Sequence, residues 1–370
     1  MSTPEFAEST PVDAVTPSTS ADTAHTWPRI LGRITDGFDL SVDEAAWAMH
    51  EMMSDAATGA QIGAFGVGVK MKGAAADELR GLADAMLAMA NRITLSGEAV
   101  DIVGTGGDRS HTVNISTMAS VVVAAAGIKV VKHGNRAASS KSGGADVLEA
   151  LGVAITLGPD AVTACVEELD IGFCFAPVFH PAFRFIGPPR KQIGIPTIFN
   201  VLGPLTNPAS PQASLIGCAF DDLAPVLAQA FVDRGNRVLV VRGDDGLDEI
   251  TTTTTTSLWQ VVAGQVRRFT LDPRDLGIDL VELAALQGGD AAVNARIARE
   301  LFDGARGAVR DAVTVNAAAA IVAYEQTVLY DDAGLLAALR AAVARVEEII
   351  DSGAAARLLD DWAALTRKLA

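Results

Sequence analysis

The 370-residue chain has few cysteines and few aromatic residues, and it has no long hydrophobic segment. Its three cysteines, Cys165, Cys174 and Cys218, stand far apart without a CxxC pair. This excludes a disulfide framework and favours a reduced, cytoplasmic protein with buried thiols. The longest apolar run, at 118–128, is too short for a membrane span of ~20 residues. No pair of histidines has ligand spacing, so a zinc site is not expected.

Positive charge is also scarce. The chain has 29 Lys and Arg against 45 Asp and Glu, a formal net charge of −16 at pH 7. Such a protein is not generally attracted to nucleic acid or to anionic lipid. The deficit is uneven, however, because residues 109–145 and 171–220 contain no acid and carry eight Lys and Arg between them. We therefore expect an anionic substrate at these two segments, inside a protein whose remaining surface is acidic.

Apolar material is plentiful: hydrophobic residues make up 49% of the chain and charged residues 20%, enough for a packed core. Residues 1–26 are rich in Ser, Thr, Pro and Ala, and we expect a disordered tail there. That tail has neither the apolar run of a secretory signal nor the basic composition of a transit peptide. Residues 27–97 show helical spacing of apolar residues after a capping box at Ser41 and Glu44, which predicts a small all-helical domain.

Residues 98–370 alternate between short β-branched runs and helical stretches. This pattern predicts a large α/β domain with a mostly parallel central sheet, flanked by helices that bury both of its faces. The threonine run at 251–256 is also expected as a strand, since threonine favours strands; a row of functional hydroxyls is the alternative. Predicted strands of the sheet lie at 100–103, 130–132, 172–175, 215–220 and 237–241.

The first motif with chemical meaning is VDIVGTGGD, at 100–108, followed by TVNIST. A strand here leads into a glycine turn and then into a helix N-terminus, where free N–H groups and the positive end of the helix dipole favour an anion. This arrangement is typical of a phosphate site, although it has neither the dinucleotide GxGxxG spacing nor the lysine of a P-loop. An ordinary structural turn is the alternative.

Three other segments carry candidate site residues. KHGNRAASSKSGGAD, at 132–146, brings cations, hydroxyls and glycines to the end of a strand and predicts an anion site; a solvated basic loop is the alternative. RGDDGLDE, at 242–249, offers the carboxylates that magnesium prefers, or else an acidic surface turn. Residues 180–208 are dense in Pro and Gly; in this shaped connection Arg190 could pair with a carboxylate beside an aromatic pocket.

At GTGGD, NIST, KHGNRAASS, LGPLTNP and DGLDE with its threonine run, the sequence resembles the anthranilate phosphoribosyltransferases, over nearly all of the chain from Trp27 onward. The resemblance implies transfer of the phosphoribosyl group of 5-phosphoribosyl 1-pyrophosphate (PRPP) to the amine of anthranilate, with release of pyrophosphate. This is the second step of tryptophan biosynthesis from chorismate. The resemblance also implies an active-site cleft between the two domains, helices from about 180–205 that join the helical domain, and a homodimer formed through that domain.

Site residues follow from the resemblance as well. It implies two magnesium ions for each subunit, bound with the pyrophosphate and held by Ser116, Asp248 and Glu249. Anthranilate would contact Gly104, Asn135 and Arg190, near departures from the family pattern at Phe185, Pro189 and Gln192. PRPP would be bound by Gly104, Gly107, Asp108, Thr112, Asn114, Ile115, Ser116, Thr117, Lys132, His133, Gly134, Asn135, Arg136, Ala137, Ala138, Ser139, Ser140 and Gly144.

The candidate catalytic residues are Lys132, His133, Asn135 and Arg190. An aniline amine carries no positive charge to lose beforehand, so we expect no strong general base. Catalysis would come from positioning the amine and stabilising the departing charge, with His133 as a candidate proton relay. Two alternatives remain open. One is a pyrimidine nucleoside phosphorylase of related fold, which would work without magnesium. The other is a non-catalytic, nucleic-acid-binding relative, which would need a basic surface.

Overall fold

The N-terminal part of the protein is helical, as the sequence predicts. The computed structural model describes residues 25–137 and 141–370, so the expected disordered tail lies outside it except for residues 25 and 26. At the second helix, Ser41 Oγ accepts from the N–H of Glu44, and the Glu44 carboxylate accepts from the N–H of Ser41. This confirms the capping box. The helices are α1 (Trp27–Thr35), α2 (Val42–Met53), α3 (Gly59–Lys72) and α4 (Ala76–Ala88).

Seven strands then form one mostly parallel sheet, which confirms the predicted α/β class. They are β1 (Val100–Gly104), β2 (Val130–Gly134), β3 (Ile171–Phe175), β4 (Ala213–Gly217), β5 (Arg237–Gly243), β6 (Thr256–Val262) and β7 (Gln265–Leu271). Their order in the sheet is β3-β2-β1-β4-β5-β6-β7. Strands β1 to β5 are parallel, and β6 and β7 are antiparallel to their neighbours. The direction of the strand order reverses between β1 and β4, and in open α/β sheets ligands bind at the carboxyl ends of the strands at such a point.

Helices cover both faces of the sheet. Leu215 and Leu239 belong to a core shared with the C-terminal helices. Their strand neighbours Ile216 and Val238 belong to a second core, which they share with α1 to α4. Because successive strand residues point to opposite faces, the N-terminal helices pack on the face opposite the C-terminal ones. The remaining helices are α5 (Ile115–Ala125), α6 (Gly144–Ala150), α7 (Pro159–Leu169), α8 (Ala176–Phe179), α9 (Gly187–Ile193), α10 (Ala224–Val232), α11 (Ala291–Phe302), α12 (Ala308–Glu325), α13 (Asp332–Asp351) and α14 (Ala354–Leu369).

The prediction of a strand at 251–256 is wrong. Only Thr256 belongs to a strand, and residues 251–255 form a bent loop. The hydroxyls of Thr251, Thr253 and Thr255 bond to nearby carboxylates, and local bonds of this kind compete with strand pairing. The hairpin of β6 and β7 is a further difference from the sequence reading. It is closed by Ala263 and Gly264, which both have positive φ, 52° and 72°, as a tight two-residue hairpin turn requires.

The three cysteines are buried and form no disulfide, as expected. Burial raises the pKa of Cys165 to about 11 and that of Cys218 to about 12, so these thiols are poor nucleophiles. In the part of the chain that the structure describes, no helix is both long and apolar enough to cross a membrane.

Candidate active site

The site is built where β1 and β4 end side by side. Gly104 and Gly217 are register partners at these ends, and the turn after β5 lies across both. A Cβ on Gly104 would stand 2.1 Å from Asp248 Oδ2, and a Cβ on Gly217 would stand 1.4 Å from the Asp248 main-chain oxygen. The N–H of Gly106 donates to Asp248 Oδ2 at 2.7 Å. Because Gly104 and Gly217 have no side chain, Asp248 can lie directly on the glycine loop, which comprises residues 104–108.

The glycine loop itself has an unusual backbone. Gly106 and Gly107 have φ values of 67° and 94°, which glycine adopts without steric cost. Arg109 and His111 follow with φ values of 61° and 57°, although they are not glycines. Left-handed non-glycine residues cost on the order of 1–3 kcal/mol and concentrate at functional sites. The loop conformation is therefore imposed by its surroundings, among them the Phe220 ring, which would lie 3.1 Å from a Cβ on Gly107.

Asp108, Asp248 and Glu249 form a compact acidic cluster, in which one oxygen of each carboxylate lies within 4.8 Å of the others. Burial and the charge of Asp108 raise the pKa of Asp248 to about 6, and burial beside Asp248 raises the pKa of Glu249 well above its usual range. Within residues 25–137 and 141–370, Glu249 Oε2 is buried without a hydrogen-bond partner. These features suit a divalent cation, which would offset the repulsion between the carboxylates and give the unpartnered oxygen a ligand role.

Lys132 lies next to this cluster. Its side chain extends from β2, where only 5% of the residue is exposed, and Nζ donates to the Ile102 carbonyl and, at 3.1 Å, to Ser116 Oγ. Burial lowers the pKa of Lys132 to about 8, while the carboxylates of Asp101, Glu249 and Asp248 act in the opposite direction. A small cavity brings the three predicted metal ligands to one place, because its lining includes Ser116, Asp248 and Glu249, together with Asn316.

The start of α5 is shaped by amide side chains. Asn114, at the N-cap position, does not cap the helix. Its amide donates to the Ser142 carbonyl at 3.2 Å and accepts from Asn294 Nδ2 at 2.8 Å. The side chain of Ile115 is fully buried, so this residue can offer a ligand only its main chain. Thr112 forms an isolated bridge with Gln287, which ties the loop to the segment before α11.

His133 is buried, and its ring is oriented by the segment that follows α9. Its Nδ1 lies 3.1 Å from the Gly203 carbonyl, and its main-chain N–H donates to Asp101. The ring of His180 lies 5.2 Å away, and its Nε2 lies 2.8 Å from the Thr206 carbonyl. Burial, together with the neighbouring His180 ring, lowers the pKa of His133 to about 3. The ring is therefore neutral at physiological pH.

The arginine of the loop after β2 is held by carboxylates of α6. Arg136 pairs with Asp146 at 2.8 Å and with Glu149 at 2.9 Å, and its guanidinium lies 5.7 Å from the centre of the Phe175 ring. Asn135 is exposed, and its Oδ1 accepts from the N–H of Arg136. Arg136 thus has protein partners in a place where a phosphate ligand was expected.

Small residues line the rest of this loop. A Cβ on Gly144 would stand 2.9 Å from Thr117 Oγ1 and 3.7 Å from Lys132 Cε, so the start of α6 lies against both. Gly134 packs against Phe173, and the N–H of Ala137 donates to Asp146. Three further predicted residues lie outside the described part of the chain: Ala138, Ser139 and Ser140.

Arg190 occupies a separate aromatic environment on α9. Its guanidinium lies 5.3 Å from the centre of the Phe183 ring and 6.0 Å from that of Phe199. Burial lowers its pKa, and it has no ion-pair partner among the described residues. No hydrogen bond there links it to Asn135 or Gly104, its expected neighbours at anthranilate. A half-buried guanidinium close to two aromatic rings, with no ion-pair partner among the described residues, suits an aromatic carboxylate.

Sequence reasoning does not find Asn294 or Asn316. Each is the buried amide of a C-terminal helix, and each contacts the site across a long stretch of chain: Asn294 bonds to Asn114, and Asn316 bonds to the main chain of Ile250. Nothing near them in the sequence has the character of a motif. A polar residue inside an otherwise apolar helical face is the one signal that could have identified them.

Fold and site together define a two-domain glycosyl transferase. The glycosyl transferase family helical bundle domain matches residues 28–90, and the family's a/b domain matches residues 96–356. Among curated proteins, the anthranilate phosphoribosyltransferase of Rhodococcus jostii (strain RHA1) is 65% identical over 94% of this chain and 95% of its own length. That of Mycolicibacterium smegmatis is 56% identical over 95% of this chain and 98% of its own length. The chain belongs to the anthranilate phosphoribosyltransferase family and is a pentosyltransferase.

Solved structures agree with this assignment. The anthranilate phosphoribosyltransferase of Thermus thermophilus superimposes with a TM-score of 0.84 at 37% identity, covering 91% of this chain and 99% of that one. The Saccharomyces cerevisiae enzyme in complex with PRPP and Mg gives a TM-score of 0.82 at 26% identity, covering 92% and 98%. The same enzyme in complex with 4-fluoroanthranilate gives 0.79 at 25% identity, covering 93% and 99%. The family resemblance stated from the motifs is confirmed.

Proposed function

We propose that this enzyme transfers the 5-phosphoribosyl group of PRPP to the amine of anthranilate, giving N-(5-phosphoribosyl)anthranilate and pyrophosphate with the assistance of magnesium. The observation that carries the proposal is the acidic cluster of Asp108, Asp248 and Glu249 beside the buried Lys132. A cation and a set of carboxylates at the carboxyl ends of parallel strands suit a metal-bound diphosphate. The yeast relative with PRPP and Mg, and the one with 4-fluoroanthranilate, support the choice of ligands.

Each part of the site has a role in this proposal. The glycine loop, the start of α5, the loop after β2 and Gly144 would surround the phosphoribosyl and pyrophosphate groups. Ser116, Asp248 and Glu249, with Asp108 nearby, would hold magnesium, for which we keep the expectation of two ions. When bound, magnesium would neutralise charge on the pyrophosphate. Lys132 would add a fixed positive charge on the leaving-group side, where charge develops as the bond to C1 breaks.

No protein base is needed for the amine to attack. We therefore assign catalysis to positioning and to stabilisation of the departing charge. For His133 we infer an orienting role in place of the proton relay expected from sequence. Its Nδ1 faces a carbonyl, and with a pKa of about 3 its other nitrogen is a weak proton acceptor.

Arg190 is the residue we propose for the anthranilate carboxylate. Its lack of an ion-pair partner in the described chain leaves the guanidinium available, and the rings of Phe183 and Phe199 offer aromatic contact. Arg190→Lys keeps the charge but loses the planar fork that pairs with a carboxylate. We expect that variant to raise the KM for anthranilate while leaving the KM for PRPP nearly unchanged. An equal change in both constants would contradict the assignment.

We also propose that the protein is a cytoplasmic homodimer that pairs through its N-terminal helices. One face of α3 is exposed and apolar along Ala60, Ala64, Val67 and Met71, and the exposed Phe38 belongs to the same helical region. Exposed apolar faces of this kind are typical of subunit contacts. Reduced, buried cysteines are consistent with the cytoplasm.

The experiment that tests the proposed reaction is a turnover assay with anthranilate, PRPP and magnesium, each omitted in turn. Loss of anthranilate fluorescence should require all three. Asp248→Asn should abolish magnesium-dependent turnover, whereas Asp221→Asn, at an exposed carboxylate outside the cluster, should not. Turnover without magnesium, or full activity of Asp248→Asn, would contradict the proposal.

A further inference from the structure

Two of the four acids in the turn after β5 do not join the acidic cluster. Asp245 Oδ2 accepts from Thr251 Oγ1 at 2.6 Å and also from Thr253 Oγ1. Asp244 accepts from Thr255 Oγ1 and, at 3.3 Å, from Ser257 Oγ. The hydroxyls of alternate threonines, at 251, 253 and 255, therefore bind the first two acids of the turn, while Asp248 and Glu249 are left to face the site.

Main-chain hydrogen bonds also connect the threonine loop (residues 251–255) to the turn after β5. Asp245 Oδ1 accepts from the N–H of Leu247 at 3.1 Å, so one carboxylate joins the threonine loop to the residue just before Asp248. The N–H of Asp244 donates to the Thr255 carbonyl at 2.9 Å, and the N–H of Gly243 donates to the Leu247 carbonyl at 2.9 Å. The turn and the threonine loop thus form one hydrogen-bonded unit.

Hydroxyl donors have an electrostatic advantage at this place. A lysine or arginine could also stabilise Asp244 and Asp245, but its charge would compete for Asp248 and Glu249 and would weaken their attraction for a cation. A threonine hydroxyl donates a hydrogen bond without adding charge. A bond from a hydroxyl to a carboxylate is also among the stronger hydrogen bonds in proteins.

We propose that Thr251, Thr253 and Thr255 are positioning residues for the metal ligands Asp248 and Glu249, acting through the carboxylates of Asp244 and Asp245. This inference rests on the proposed function, since it takes Asp248 and Glu249 to bind magnesium. It gives the threonine run a role in holding the turn in the geometry that the metal requires. The run is then part of the active site without touching the substrate.

The test compares threonine variants that differ only in the hydroxyl. Thr251→Val with Thr253→Val removes both donors to Asp245 at constant shape, and Thr251→Ser with Thr253→Ser restores them. Thr254→Val is the matched control, because the Thr254 hydroxyl makes no hydrogen bond in the described part of the chain. Binding of pyrophosphate in the presence of magnesium is measured by calorimetry, and exchange of the main-chain amides at 246–249 is followed by mass spectrometry.

We expect the double valine variant to bind magnesium pyrophosphate about tenfold more weakly, the effect of losing hydrogen bonds to a charged group. Exchange at 246–249 should be faster, and the serine variant and the control should behave as the parent protein does. Parent-like binding and exchange in the double valine variant would overturn the inference. If that variant does not fold, Thr253→Val alone, at a half-buried residue, gives the same test with a smaller expected effect.

Asp248→Asn, measured alongside, separates this inference from the proposed function. If Asp248→Asn loses magnesium pyrophosphate binding and the valine variant does not, the positioning role is wrong and the metal site stands. If Asp248→Asn also binds as the parent does, the metal site itself is wrong, and with it the inference.

Discussion

The close approach of Gly104 to Asp248 allows a quantitative prediction. In Gly104→Ala the new methyl group would stand 2.1 Å from Asp248 Oδ2, so the carboxylate must rotate away. Rotation breaks the 2.7 Å bond from the N–H of Gly106, a charge-assisted hydrogen bond worth about 2 kcal/mol. If that bond serves to position the carboxylate in the transition state, kcat/KM should fall about 30-fold, since ~1.4 kcal/mol is a factor of ten.

The assay is steady-state turnover at several magnesium concentrations, and half-saturation by magnesium should move upward along with the fall in kcat/KM. The fold should survive, because the clash is with a side chain that can move. Gly158→Ala is the matched control: it adds the same methyl group at a residue with no atom within 4 Å of the new Cβ and no positive φ. A Gly104→Ala protein with normal turnover and normal magnesium dependence would refute the reasoning.

Three further substitutions test the backbone at Gly217, the buried His133 ring and the exposed face of α3. Gly217→Ala places a methyl group 1.4 Å from the main-chain oxygen of Asp248, which cannot rotate away, so we expect a folding loss of about 3 kcal/mol or more, measured as a lower midpoint of urea unfolding. The pKa of His133 is about 3 in the folded protein, below its ordinary 6.5, so the free energy of unfolding should fall as the pH drops below 6.5. His133→Gln should reduce the slope of the free energy of unfolding against pH by up to ~1.4 kcal/mol per pH unit between about pH 6 and about pH 4. An unchanged slope would count against a buried neutral ring. Met71 is 82% exposed on α3, so Met71→Glu should shift the proposed dimer toward monomer in sedimentation while the circular dichroism spectrum stays that of the folded parent, whereas an unchanged dimer would place the subunit contact elsewhere.

Much of the fold can be predicted because its elements are locally encoded. The capping box at Ser41 marks the start of a helix, and the short β-branched runs at 100–103 and 237–241 are typical of buried strands. The threonine run misleads because strand preference is weak and depends on context. Near Asp244 and Asp245, the hydroxyls have partners that outweigh pairing with a neighbouring strand.

The site is less fully encoded in local sequence. The motifs at 104–108 and 248–249 could be assigned because chemistry-bearing residues cluster there, and the parallel sheet brings both to one edge. The partners that fix them could not, since Asn294 and Asn316 contact the site only after the C-terminal helices pack on the sheet. Arg136 shows that residue type alone can mislead. An arginine suits a phosphate, but in the folded protein it pairs with Asp146 and Glu149.

The crossing of Asp248 over two glycines has a consequence for how this sequence can vary. Gly104, Gly217 and Asp248 come from three separate parts of the chain. Atoms of Asp248 nevertheless occupy the space that a side chain would need at either glycine. A side chain can appear at position 104 only if the residue at 248 becomes smaller or its turn moves outward. At position 217 the obstacle is the main chain of Asp248, so the turn itself must move outward, which also displaces Glu249. We therefore expect substitutions at these three positions to occur together, or not at all, among proteins with this fold.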